Sequence, residues 1–389
     1  MTASWNNLWG ILRNEKPERV RVRPDVWGDL HLANMTWNLR QVRKRVKVPV
    51  MGVIKANAYG HGLRAVGRFL DRNGIDALMV GKLEEAIHLR DAGVRCPILN
   101  FGPLSLPDAE VLARYEIEQS VFTQEIERLS QKMERQNTIL KVHIHVDTGM
   151  GRMGIPYHQA LAYIKKAAGL KGLHIQGVST TLTEDPEFDK IQMERFLTLC
   201  RQAKASGISI GFRHACSSAG VMSMPSSCLD MVRPGILLYG YYPNEDTQRQ
   251  DELALRPVLH VKTRVAAVKT LRPGDSVSYH RAYTAQAAER IAVIPVGYSD
   301  GFPPSAVKGG AVLIRGRRFP LIGAVTANHS VVRVGSDPSV SVGDEVVLLG
   351  TQGNEKIFAP ELGRWSGLSS YRILIGLNPS LQKIIRKGL

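Results

Sequence analysis

Short apolar runs alternate with longer amphipathic stretches between Leu32 and Val232, and few folds accept that order. Strand-like runs stand at 50–54, 77–80, 97–101, 120–122, 140–146, 173–178, 208–212 and 229–232. Helical patterns fill most of the intervals, at 63–73, 83–92, 108–115, 124–136, 158–168 and 188–205. Ahead of them Leu32, Met35, Leu39, Val42 and Val46 recur at three- and four-residue steps, which makes one apolar face of a helix. Strands that are each followed by a helix must lie parallel, and eight such units over roughly 200 residues predict a (β/α)8 barrel.

The texture changes after Tyr242. A polar stretch at 243–250 reads as a linker, and beyond it the chain is mostly β, with runs at 258–265, 291–296, 311–314, 320–325, 330–334 and 344–349 between Pro- and Gly-rich turns. The expected organisation is an N-terminal extension over 1–25, a barrel over 26–242 and a mainly β domain over 254–389. At 389 residues the chain is long enough for two cores.

The net charge of +16 raises the question of nucleic acid or an anionic membrane. Its basic residues are dispersed through separate segments, so they read as solvated faces, and neither partner is expected. Cys96, Cys200, Cys216 and Cys228 show no C-x-x-C spacing, so no metal site is expected. They read as reduced, structural thiols of a cytoplasmic protein. Residues 1–16 have neither the apolar core nor the cleavage site of a signal peptide.

The most informative stretch is Val-Ile-Lys-Ala-Asn-Ala-Tyr-Gly-His-Gly at 53–62. An apolar run leads straight into Lys55. On residues alone this is either a strand-end lysine that snorkels to water or an amine whose desolvation makes it a nucleophile or base. The stretch closely resembles the pyridoxal-phosphate lysine motif of the alanine racemase family (fold-type III). The resemblance implies pyridoxal 5′-phosphate as cofactor, carried by Lys55, and an amino acid as substrate.

Further motifs resemble the same family from about Arg23 to near the C-terminus. Tyr59 would hold a phosphate oxygen, though a packed loop tyrosine reads equally well. Val-Asp-Thr-Gly-Met-Gly-Arg-Met-Gly at 146–154 would give Arg152 contact with the cofactor's phenolic oxygen and the substrate carboxylate, which a guanidinium fork suits. In His-Ala-Cys-Ser-Ser-Ala-Gly at 214–220, Ser218 would contact the phosphate, and the same residues also satisfy a helix N-cap. Met-Val-Arg-Pro-Gly-Ile at 231–236 would set Arg233 against the pyridine nitrogen, with the backbone of Gly235 and Ile236 on the phosphate. A structural ion-pair arginine is the other reading. Tyr371 would reach the phosphate and narrow the entrance, which Tyr298 would line.

Racemisation removes a proton from one face of Cα and returns one to the other, which two opposed bases do directly. By resemblance Lys55 serves one face and Tyr279, in Ser-Val-Ser-Tyr-His-Arg at 276–281, the other. Family members are head-to-tail homodimers in which this tyrosine enters the partner's site, so a homodimer is implied.

Several family positions are altered. His145 stands where many members have a carbamylated lysine, and Thr181 stands where the family has a histidine. His280 replaces a glycine and offers a substitute imidazole. Ser217 replaces an asparagine. The Cys-Met-Asp segment reads Thr326-Ala327-Asn328, so Ala327 would offer its N–H to the substrate carboxylate beneath a smaller side chain. The expected activity is an amino-acid racemase, alanine the default substrate, in a pocket altered toward larger amino acids. A decarboxylase on the same scaffold and a non-catalytic cofactor-binding protein are the competing readings.

Overall fold

The computed structural model describes residues 23–250 and 253–386. The expected N-terminal extension lies almost wholly outside them. Strand β1 (Trp27–Leu30) comes first and is followed by helix Leu32–Val46, whose Leu32, Met35, Leu39 and Val42 are buried as the spacing predicts.

The barrel strands are β2 (Met51–Val53), β3 (Ala77–Val80), β4 (Ile98–Asn100), β5 (Glu118–Val121), β6 (Leu140–Asp147), the short β7 (Ile155–Pro156) beside it, β8 (Leu173–Ser179) and β9 (Phe212–His214). All pair in parallel in the order β2-β3-β4-β5-β6-β8-β9. The ring closes through single bridges, Val50 with Val232 and Ser217 with Arg233. There Met51 N–H donates to the Val232 carbonyl at 2.9 Å, Val53 N–H to Pro234 at 2.9 Å and Arg233 N–H to Cys216 at 2.8 Å. Pro234 accepts in this ladder but has no N–H to give, so the eighth position is a bridge segment and not a full strand.

The seventh strand starts later than the apolar run at 208–212 suggests. Gly211 has φ +59°, and a β-carbon there would stand 2.1 Å from the Gln176 carbonyl oxygen. The chain turns sharply at this close approach and becomes extended only afterwards.

The second domain contains β10 (Leu259–Arg264), β11 (Ala267–Leu271), β12 (Ser276–Val277), β13 (Tyr283–Thr284), β14 (Glu289–Ile294), β15 (Ala311–Ile314), β16 (Arg317–Ile322), β17 (Ser330–Gly335), β18 (Glu345–Gln352), β19 (Glu355–Ile357) and β20 (Gln382–Ile385). Its main sheet runs β11-β14-β17-β16-β15-β18-β10-β1-β20, with β19 on β18 and the β12-β13 hairpin apart. Two expectations change here. A barrel beginning at 26 does not hold, because β1 pairs with β10 and β20 and so belongs to the second sheet. The polar stretch at 243–250 contains helix Glu245–Gln250, which buries Thr247 and is not a plain linker. Among the described residues no helix is long and apolar enough to cross a membrane.

Candidate active site

Lys55 leaves the end of β2 into a turn of unusual hand. Ala56, Asn57, Ala58 and Tyr59 all have φ between 51° and 55°, a conformation that costs an L-residue about 1–2 kcal/mol. A run of four needs external support. Asn57 N–H donates to Glu85 Oε1 at 3.0 Å, and Leu63 N–H donates to Asn57 Oδ1 at 2.8 Å. Glu85 Oε2 also accepts from Gly81 N–H at 3.1 Å, tying the turn to the loop after β3. Nothing in the sequence marked Glu85, since its register on helix Leu83–Asp91 looks like any first-turn carboxylate.

A cavity of about 450 Å³ opens at the C-terminal rim of the barrel. Lys55, Tyr59, Arg152, Ser218, Arg233, Gly235, Ile236 and Tyr371 all line it. The rim is where a parallel barrel concentrates its chemistry. Burial lowers the Lys55 amine below its ordinary range, the Arg152 charge lowers it further, Glu85 opposes this, and Arg233 adds a smaller push down. A shift in this direction favours the neutral amine, the form that attacks a carbonyl carbon.

At one end of the cavity stand hydroxyls and close-packed backbone. Gly235 N–H donates to Ser218 Oγ at 2.9 Å. Tyr59 packs on Tyr239 at 4.8 Å and on Tyr371 at 5.9 Å between ring centroids. Burial raises both Tyr59 and Tyr371 above the ordinary phenol range, so each is a neutral donor. A β-carbon on Gly235 would meet the Tyr59 hydroxyl at 2.6 Å, so this cradle exists only with glycine there.

Arg233 is buried, and burial lowers its guanidinium to about 10, which still leaves it charged near neutral pH. It donates to the carbonyls of Thr180 at 2.7 Å and Ala215 at 3.3 Å, to the His214 carbonyl, and to His214 Nδ1 at 2.8 Å. His145 has Nδ1 2.9 Å from Ser179 Oγ and its ring edge-on to Phe101, which lines the cavity. Burial, then Arg233, holds it down to about 3, so it is neutral and cannot replace the charge of a carbamylated lysine. Thr181 lines the cavity, whereas Thr180 is buried and bonds Thr148 at 2.7 Å.

Tyr279, His280, Ala327 and Tyr298 do not line this cavity. Tyr279 is 76% exposed and Tyr298 57%. They share a face of the β domain: Ala324 N–H donates to Ser278 Oγ at 3.0 Å, and the Ala327 carbonyl accepts from Ser299 N–H at 3.0 Å and Ser299 Oγ at 2.7 Å. His280 is exposed beside Tyr279 and does not line the cavity of its own chain.

The residues present fit pyridoxal 5′-phosphate. Lys55 offers the amine, the Ser218–Gly235–Tyr59 cradle offers donors to a phosphate, and Arg233 reaches the cavity as a buried cation. Fold and site define a barrel enzyme of the pyridoxal-phosphate class that handles amino acids.

Comparison with known proteins narrows this. Residues 30–243 match the family model for the alanine racemase N-terminal domain, and residues 258–385 match that for the C-terminal domain. The chain is 38% identical over 370 residues to the alanine racemase of Carboxydothermus hydrogenoformans, covering 93% of this chain and 100% of that protein. The solved alanine racemase of Clostridium difficile 630 superposes with a TM-score of 0.88 at 28% identity, covering 94% of this chain and 97% of the other. A histidine racemase from Leuconostoc mesenteroides subsp. sake superposes at 0.87 with 26% identity, covering 94% and 99%. The chain belongs to the alanine racemase family, whose enzymes depend on pyridoxal 5′-phosphate.

Proposed function

We propose that the protein is an amino-acid racemase that interconverts L- and D-amino acids by a two-base mechanism, with alanine the default substrate, and that it acts as a homodimer. The observation that carries the reading is the convergence of eight residues from five segments of the chain on one cavity, with Lys55 among them. We place its action in the cytoplasm, which the free thiols of its four cysteines fit.

Pyridoxal 5′-phosphate, when bound, draws electrons from the substrate's Cα and so acidifies its C–H bond. Lys55 anchors the cofactor and, once its amine is free, exchanges a proton on one face of Cα. Arg233 donates toward the ring nitrogen and stays charged, which limits how far that nitrogen can draw electrons. Ser218, Tyr59 and Tyr371 donate to the phosphate together with the backbone of Gly235 and Ile236. Arg152 holds the substrate carboxylate, with Ala327 N–H as its second donor.

The opposite face of Cα needs a second base, and Tyr279 is too exposed to serve the cavity of its own chain. A second copy placed head to tail brings Tyr279, Ala327 and Tyr298 together over the partner's cavity. Mixing inactive Lys55→Ala with inactive Tyr279→Phe tests this, because a mixed dimer has one site with both residues intact. Activity should return as subunits exchange. No return, with exchange verified by a tagged subunit, would rule out catalysis across the interface.

A further inference from the structure

Arg233 is 5% exposed, and among the described residues no carboxylate touches it; its direct partners there are three carbonyl oxygens and one imidazole nitrogen. A buried cation without a counter-charge is costly. The imidazole leads to one. His214 Nε2 lies 2.8 Å from His143 Nδ1, and His143 Nε2 lies 2.9 Å from Glu118 Oε2. His214, His143 and Glu118 are 0%, 1% and 6% exposed. The two rings cross edge to face at 75°, with centroids 5.0 Å apart. The four residues come from the eighth, seventh, fifth and fourth positions of the barrel wall, so the row spans its interior.

The direction of this row is fixed by its ends. A guanidinium only donates, so His214 Nδ1 accepts and its proton sits on Nε2. That N–H points at His143 Nδ1, which must accept, and His143 then carries its proton on Nε2 and donates to Glu118. Any other placement of the protons sets two N–H groups or two lone pairs face to face in a dry interior, at about 1–3 kcal/mol for each unsatisfied group. We propose that Glu118 is the remote counter-ion of Arg233 and a positioning residue for the reaction, acting through His143 and His214 held as neutral, Nε2-protonated rings. The inference rests on the racemase reading for its kinetic consequence, but the proton placement stands on the row of contacts alone. No proton moves in it; the carboxylate polarises each bond the same way and holds Arg233 charged, in one orientation, toward the ring nitrogen. In keeping with this, burial and the Arg233 charge hold His214 well below the ordinary imidazole range.

The first test needs no activity. In 15N spectra of the histidine-labelled holoenzyme near neutral pH, His143 and His214 should both appear neutral with Nε2 protonated. An imidazolium, or a proton on Nδ1 of either ring, would overturn the proposal. The second test compares holoenzymes. Glu118→Gln keeps an oxygen that can accept from His143 but removes the charge, so kcat should fall about tenfold with KM within about twofold, the size expected for one charge-assisted hydrogen bond. The absorption maximum of the bound cofactor should shift as well. Glu118→Asp, which retains the charge, should recover most of both. A Glu118→Gln enzyme with unchanged kcat and spectrum would overturn the role. If that variant fails to fold, Glu118→Asp with its 15N spectrum decides. Failure of the racemase reading would show instead as absent activity in the unmutated protein, with the histidine signals unaffected.

Discussion

Gly235 and Tyr59 are packed so closely that a β-carbon on the glycine would stand 2.6 Å from the tyrosine hydroxyl. Gly235→Ala must therefore displace the phenol or the backbone that faces it, an overpacking worth about 1–3 kcal/mol. The expected result is cofactor binding weakened about tenfold, with the fold intact. Equilibrium dialysis followed by absorbance, alongside circular dichroism, checks both halves.

Glu85 holds the left-handed turn after Lys55 with one oxygen and Gly81 N–H with the other. Glu85→Gln replaces one acceptor with a donor that faces an N–H, so one bond is lost and one polar group is stranded. Stability should fall by about 1–3 kcal/mol in chemical denaturation. The neighbouring Glu84→Gln, on an exposed carboxylate, should change it by less than about 0.5 kcal/mol.

Stability should also fall on mild acidification. Burial holds His61 and His260 down to about 4 and His145 to about 3. The unfolded chain titrates near the ordinary 6.5 and so binds more protons than the native state below that pH. The stability held by these neutral rings is complete above about pH 6.5 and is lost as pH falls from there toward 4, at up to about 1.4 kcal/mol per unit for each ring. Denaturation at a series of pH values should show this slope, and His61→Gln should make it shallower.

Ala327 stands where many family members have methionine. If it borders the substrate in the partner's site, Ala327→Met should narrow the pocket and raise the preference for alanine over lysine, arginine and histidine by about tenfold in kcat/KM, as one or two methylenes do in an apolar pocket. Racemisation rates measured by circular dichroism for each amino acid provide the comparison. A wild-type preference for alanine as strong as the variant's would remove the case for an enlarged pocket.

Much of the barrel was legible because a parallel strand is buried on both faces and reads as a continuous apolar run: β3, Ala-Leu-Met-Val, is buried throughout. The cofactor-side residues were legible through long local motifs, and the structure brings eight of them to one cavity. What escaped had no local signature. β1 reads as four unremarkable residues, and only its partners near 260 and 384 make it a strand. Glu85 and the row from Arg233 to Glu118 join residues 19 to 71 positions apart in sequence, or lie in another helix, so periodicity cannot find them. The start of β9 is not legible because Ile208 and Ile210 pack against the core from irregular chain and not from a strand.

Strand β1 sits between β10 and β20, the latter supplied by nearly the last residues described. During synthesis the segment that leaves the ribosome early must wait for both partners. Until residues 382–385 emerge, one flank of β1 stays open as a sheet edge, the form most prone to pairing with another chain. A chain cut ahead of Gln382 keeps every barrel strand yet leaves β1 unsealed on one side, so the barrel's own sequence does not suffice to close the sheet that β1 belongs to.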